Sequence, residues 1–350
     1  MISVRINYMD LTKEDNMKKK SAKRLCTIFL AMSMLLASVL ATGCSSKDPV
    51  EAYPDQDIRI IVAFNPGGQT DLISRKLAEI IEKEDILPVS IVTVNMAGGN
   101  TADAINATLQ ADPDGYTFFM HHSNLVTNYI MGNLETKYDE MDMLGGIMDQ
   151  PFGIVKRSDD DRFADVFELV EYIKAHPGEL TCGFPGYASP GHFALLQFLA
   201  ANGISGMVQE VPYAGGAEAI EAHLGGHTDL RATNMGDSAR YVASGDIEFL
   251  CMISQDVNPD YPDVPTLKDL GSDMEGLVLH TGLFAPKGIP EEIKTKFMDA
   301  IHKAMETEEF AQFTAEMCNT MAPTDAETFK ALYDNDLATL EELAKTLTRQ

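Results

Sequence analysis

Two hydrophobic periods alternate along the chain. Short β-branched runs ("IRIIVAF" at 58–64, "VSIVTV" at 89–94, "YTFFM" at 116–120, "FGIV" at 152–155) are interleaved with helical patterns after Thr70, in "TADAINATLQ" and in "ADVFELVEYIKA". The alternation continues through "LTCG", "GHFALLQFLAAN", "MVQEV", "AEAIEAHL", "TDLRAT", "SARYVA" and "EFLCMIS". Strand, loop and helix in repetition predict an α/β protein with largely parallel sheets flanked by helices.

Helix ends carry their own signals. Ser189-Pro190 reads as an N-cap followed by proline at the first helical position, and Gly203 lies just past the far end of that helix. Thr324-Asp325-Ala326-Glu327 has capping-box spacing and opens a long C-terminal helix with Leu332, Leu337, Leu340 and Leu343 among its apolar positions. No internal repeat or low-complexity tract interrupts the pattern.

With 350 residues, 45% of them hydrophobic, the chain is long enough for two cores. Lys and Arg total 27 against 53 Asp and Glu, a net charge of -26, which argues against a nucleic-acid partner. The basic start at Met17-Lys18-Lys19-Lys20 and the apolar run "LCTIFLAMSMLLASVLATGC", residues 25–44, form a secretory signal over residues 1–43. Residues 1–16 lack that logic and read as an over-extended start. Leu40-Ala41-Thr42-Gly43-Cys44 resembles a bacterial lipobox, although Ala41 holds the place where leucine is usual. Lipidation of Cys44, with 44–52 as a tether, is the expectation; ordinary cleavage or an uncleaved membrane anchor are the alternatives. Of five cysteines, Cys182, Cys251 and Cys318 then remain, too widely spaced for a disulfide framework or zinc motif.

Gly-Gly pairs occur at 67–68, 98–99, 145–146, 215–216 and 225–226, several between a strand and a helix. A glycine turn before a helix lets an anion approach the unpaired amides and positive end of that helix. Neither GxxxxGK[ST] nor GxGxxG is present, so no nucleotide cofactor is expected. A single pair is more often a plain turn. Several at strand ends could converge on one ligand. Catalytic readings fit poorly. "GYASPG" is a residue out of register for a nucleophile elbow, and His223 and His227 lack the intervening glutamate of a zincin. His121 and His122, adjacent on a strand, are expected to face opposite ways.

The segments "YPDQDIRIIVAFNPGGQTD", "DPDGYTFF", "HPGELTCGFPGYASPGHFA", "VPYAGGAEAI", "GGHTDL", "YPDVPTLKDLG" and "GLFAPKGIP", in this order and spacing, resemble the receptors of tripartite tricarboxylate transporters, also called Bug-type receptors. The resemblance covers nearly all of the chain from Tyr53 onward. It implies a two-lobed fold like that of type II periplasmic binding proteins, extracytoplasmic and without catalysis. Such a receptor closes over a small carboxylated solute and delivers it to a membrane permease. One lobe would hold residues 53–148 and 281–350, the other 149–280. The first-lobe cup carried over is Phe64, Gly67, Gly68, Gln69, Thr70 and Asp71, with Thr70 also as N-cap, and Ser123 and Asn124 as further donors. The second lobe would supply Tyr187, Ala188, Ser189, His192, Tyr213 and Gly215.

Arg231 stands where the family usually has an apolar residue, with Asn234 and Asp237 following near the cleft end of the same strand. A buried unpaired arginine is costly, so Arg231 either pairs with an acid such as Asp237 or waits for a ligand carboxylate. His280-Thr281 also departs from the family pattern, which leaves the solute open. The alternatives to a transport receptor are a secreted α/β hydrolase or lyase, and a solute sensor for a membrane signalling partner.

Overall fold

The computed structural model describes residues 49–347. The expected signal segment, Cys44 and residues 44–48 of the tether lie outside the described residues. The chain divides between Ala52 and Tyr53. Of the first unit, Pro49–Ala52 is described, as one helical turn.

In the second unit the expected alternation appears as β1 (Ile58–Val62), α1 (Gln69–Lys83), β2 (Ile91–Asn95), α2 (Ala102–Leu109), β3 (Thr117–His122) and α3 (Asn124–Ile130). A long strand β4 (Asp142–Arg157) leads to α4 (Val166–Ala175), β5 (Thr181–Pro185), α5 (Pro190–Ala201), β6 (Gln209–Tyr213), α6 (Gly216–Leu224), β7 (Leu230–Asn234), α7 (Met235–Ala243) and β8 (Ile247–Met252). The chain then returns through β9 (Val278–Ala285), α8 (Glu291–Met305), α9 (Glu308–Glu316), β10 (Thr320–Met321) and α10 (Ala326–Leu347).

The strands follow the order β2-β1-β3-β9-β4-β7-β5-β6, with β8 and β10 also pairing with β4. Two parallel ladders, β2-β1-β3 and β6-β5-β7, form the outer parts. They meet at antiparallel strands in the middle, β9 and β4. β4 belongs to both halves. Through Pro151 it pairs with β9, and from Phe152 onward with β7.

The sequence marks only 152–155 of β4 as strand. Gly145, Gly146 and Pro151 carry turn chemistry that hides the rest, and the structure explains the glycines by close approach. A Cβ on Gly145 would lie 2.4 Å from the Thr324 carbonyl oxygen, and one on Gly146 would lie 2.5 Å from Thr324 Oγ1.

One hydrophobic cluster extends through both halves of the sheet. It runs from Phe119, Phe284, Phe329 and Tyr333 to Phe184, Phe193 and Phe198. Its two ends are linked by β4 and by α10, which packs on β4, β9 and α5. A smaller cluster of Val155, Ile220, Met235, Ile247 and Phe249 lies in the second half.

At α5 the expected caps are present: the Ser189 side chain accepts from the His192 amide at 3.2 Å, and Gly203 has φ +65°. At α10 the cap moves by one residue. Asp325 accepts from the Thr328 amide at 2.7 Å, because Thr324 Oγ1 is occupied by the Gly146 amide at 2.9 Å.

Candidate functional site

At the carboxyl end of the first parallel ladder, the chain leaves β1 at Val62, passes Phe64 and enters α1 at Gln69. Gly68, not the expected Thr70, holds the N-cap place, and Thr70 is buried in the first helical turn. Gly68 makes no side-chain cap bond; instead the Asp71 carboxylate reaches back to the Gly67 amide at 2.8 Å. Asp71 is 1% exposed and also accepts from Arg75 Nε and Asn95 Nδ2, each at 2.9 Å. Burial pushes this carboxyl up, but the Arg75, Gly67 and Asn95 hydrogen bonds outweigh it and hold it below its ordinary value. Asp71 therefore shapes the loop. With the Gly67 amide given to Asp71 and the Gly68 amide to the Asn65 carbonyl, the donors without an intrahelical acceptor are the first-turn amides of Gln69, Thr70 and Asp71.

The Phe64 ring lies 4.9 Å from His121 and 5.1 Å from His122, stacked on the latter. The two imidazoles thus share a neighbour, although alternation along a strand would send them apart. His122 is the last residue of β3, where the regular pleat ends. Burial lowers His121 to about 4, and lowers His122 well below the usual histidine value, so both are neutral at pH 7. Sequence reasoning left this pair out of the site. The Ser123 hydroxyl is turned to β9 instead, donating to the Val278 carbonyl and accepting from the His280 amide, both at 3.3 Å. Asn124 opens α3; its amide reaches His122 Nδ1 at 3.3 Å, and its side chain takes the Thr127 hydroxyl.

On the second ladder, Ala188 adopts φ +57° and its amide donates to His192 Nδ1 at 2.9 Å. His192 is fully buried, lies 2.8 Å from Glu210 through Nε2 and stacks on Phe184 at 4.3 Å. Both ring nitrogens are engaged, so His192 holds the Gly186–Ser189 turn. Tyr187 stands over that turn, 56% exposed. The Tyr213 carbonyl accepts the Gly186 amide at 2.8 Å, and Gly215 is the N-cap of α6, with open space where a Cβ would sit.

The loops of the two ladders touch at Gln69. Its Nε2 donates to Asn234 Oδ1 at 3.1 Å and Asp237 Oδ1 at 3.0 Å, while its Oε1 accepts from Asn319 at 3.0 Å. Gly236 fits under Met317, whose carbonyl oxygen would be 2.5 Å from an added Cβ. Asn319 and Met317 carry no sequence signal, since their role depends on this contact.

Arg231 is 1% exposed and is not paired with Asp237. Its Nη1 donates to Ser238 Oγ at 2.9 Å and its Nη2 to the Gly216 carbonyl at 3.5 Å, whereas Nε is buried without a partner. Among the described residues no carboxylate lies within ion-pair distance of it; Asp237 is bonded to Gln69 instead. Burial pushes the guanidinium down, with the Asp237 charge opposing.

Two opposed sets of strand-end loops closing on each other are the geometry of a binding cleft, and comparison with known proteins agrees. The family model for the tripartite tricarboxylate transporter family receptor matches residues 73–347. BugT of Bordetella pertussis is 26% identical over 306 residues, 85% of this chain and 92% of that protein. A UPF0065 protein from the gbd 5' region of Cupriavidus necator is 29% identical over 296 residues, 82% of this chain and 87% of its own length. Among solved structures, a TctC solute binding protein from Polaromonas shares 25% identity with a TM-score of 0.73, covering 84% of this chain and 99% of that one. The periplasmic binding protein BugD shares the fold at 23% identity and a TM-score of 0.68, covering 84% and 98%. The fold is therefore the two-lobed one of periplasmic binding proteins, and the location extracytoplasmic. No described helix is long and apolar enough to cross a membrane. The chain belongs to the tripartite tricarboxylate transporter receptor family and is a solute-binding receptor, not an enzyme.

Proposed function

We propose that this receptor captures a small carboxylate by closing its lobes, with the first-turn amides of α1 as the carboxylate grip, and hands it to the permease subunits of its transporter. The observation that carries this is the Gly67-Gly68 turn, braced from behind by Asp71, which leaves the Gln69–Asp71 amides and the positive end of a fifteen-residue helix without a side-chain cap. The second lobe would add Ser189, Tyr187, Tyr213 and Gly215, and the neutral rings of Phe64 and His122 would line the apolar part of the solute. Ser123, Ala188 and His192 then act as supports for these loops. Arg231, lacking a protein carboxylate, is the candidate for a second acidic group of the solute. Two solved structures of this fold from Rhodopseudomonas palustris, each at 22% identity, hold malate and adipate, so dicarboxylates are the first class to test.

We place the lobe boundaries where β4 changes partners, between Pro151 and Phe152, and where β9 begins at Val278. Each lies three residues from the boundary read in the sequence. Cys44 would carry the lipid that holds the receptor at the membrane, and Cys44→Ala should release it to the soluble fraction.

Thermal unfolding of the full chain in detergent, against mono-, di- and tricarboxylates and amino acids, tests the solute class. A true ligand at about a hundred times its Kd adds about 2.7 kcal/mol, a rise of several degrees. A rise confined to one carboxylate class supports the reading. Silence across all of them overturns it.

A further inference from the structure

Beside the crossing strands lies a cavity of about 250 Å³ that none of the cup residues lines. On one side its walls come from Asp149 and Pro151 of β4, Val278 and His280 of β9, and Leu332 and Asp336 of α10. On the other they come from the segment after β8, residues 254–258, and from Glu275 and Gly276. The lining carries four carboxylates, Asp149, Asp256, Glu275 and Asp336, and its one basic side chain is His280.

His280 Nδ1 lies 2.7 Å from Asp149, which accounts for one of the four. Its Nε2 is 4.0 Å from Asp336 Oδ1, beyond hydrogen-bonding distance. The Asp336 side chain is 7% exposed, and its Oδ2 has no hydrogen-bond partner. Asp256 and Glu275 stand exposed at the rim. A buried carboxylate oxygen without a hydrogen-bond partner is costly, and so is the closeness of Asp149. Burial pushes Asp336 up to about 6, His280 and the Ser123 hydroxyl opposing and Asp149 adding to the rise. A cation in the cavity would remove that cost.

We propose that this cavity is a second ligand site, for a small organic ammonium ion whose charge meets Asp336 and whose carbon chain lies along Pro151, Val278 and Leu332. The apolar walls suit an alkyl chain better than a hydrated ion. Among the described residues no group of three or more histidine, cysteine, aspartate or glutamate side chains could hold a metal. Because the walls come from both sides of the crossing strands, occupancy and lobe closure are linked, each shifting the other by the same factor. The site goes beyond the carboxylate reading and does not depend on it.

The pH dependence has a definite sign. Binding requires ionised Asp336, so affinity rises as pH climbs through about 6. His280, whose proton is retained above the usual histidine value because Asp149 and Asp336 outweigh the effect of burial, competes with the ligand when protonated. That acts in the same direction. Tyr333 on α10 also faces these acids, and burial keeps its hydroxyl neutral throughout.

The test is calorimetric titration of the full chain in detergent with n-butylammonium chloride, with n-butanol and potassium chloride as controls. Saturable binding is expected for n-butylammonium alone, about tenfold weaker near pH 5 than near pH 7.5. Asp336→Asn should weaken it by about tenfold or more, and Glu275→Gln, at the exposed rim where folding is not at stake, by severalfold. An equal response to n-butanol would make the cavity an apolar hole. An equal response to potassium chloride would make it an ionic-strength effect. Either result, or unchanged affinity in both variants, overturns the proposal.

Discussion

The Asp71 carboxylate accepts hydrogen bonds from the Gly67 amide, from Arg75 one helical turn on, and from Asn95 at the end of β2. Asparagine at this place keeps the shape but offers one acceptor oxygen where three donors converge, and it removes the charge that Arg75 meets. Asp71→Asn should therefore cost about 2 kcal/mol in urea unfolding near pH 7. The sign of its pH dependence follows from the direction of the shift. The folded carboxyl is held below its unfolded value, so its contribution is fully present above about pH 4 and is lost as pH falls through the folded value. The stability gap between the natural chain and the variant should close in acid; a gap that stayed constant down to about pH 2 would mean the ionised form is not what stabilises the loop.

At the scale of elements, the strand that joins the two halves depends on glycines whose reason lies far away in sequence. Gly146 and Thr324 are separated by 178 positions, and the segment before α10 lies directly on β4. An added methyl at Gly145 would meet the Thr324 backbone oxygen, while at Gly146 the nearest atom is the Thr324 hydroxyl. Each Gly→Ala change should cost on the order of 1–3 kcal/mol. Thr324→Ala should offset part of the cost at Gly146 and none of it at Gly145, a difference that a double-mutant cycle reads directly. Equal coupling at both positions would contradict the geometry. The same distance limits what the sequence reveals. α5 is legible because its signals, Ser189, Pro190 and Gly203, act within one helix. β4 is not, because Gly145 and Gly146 answer to Thr324. The site divides in the same way: the α1 turn is visible in Asn65-Pro66-Gly67-Gly68, whereas the pairing of Phe64 with His121 and His122 needs β1 and β3 side by side.

For the whole molecule, the central quantity is the free-energy difference between open and closed lobes, and Gln69 spans the two. It donates to Asn234 and Asp237 across 165 and 168 positions of chain, and Asn319 holds its other end. Losing two such bonds in a part-exposed place is worth about 1–2 kcal/mol, or about tenfold in the closed-to-open ratio. Since solute closes the lobes, a chain that closes less readily binds more weakly in proportion to its smaller closed fraction. Gln69→Ala should therefore raise the solution radius of gyration without solute and weaken solute binding severalfold, up to about tenfold. Gln69→Glu separates a latch from a mere solute contact. It keeps the length of the side chain but sets a second carboxylate where Nε2 now lies 3.0 Å from Asp237, so at neutral pH it should open the lobes more than alanine does. In mild acid, where one of the two carboxylates takes a proton and can donate to the other, it should close them again. An unchanged radius in both variants, at either pH, would mean that closure is set elsewhere, at the Gly236–Met317 contact or within the crossing strands themselves.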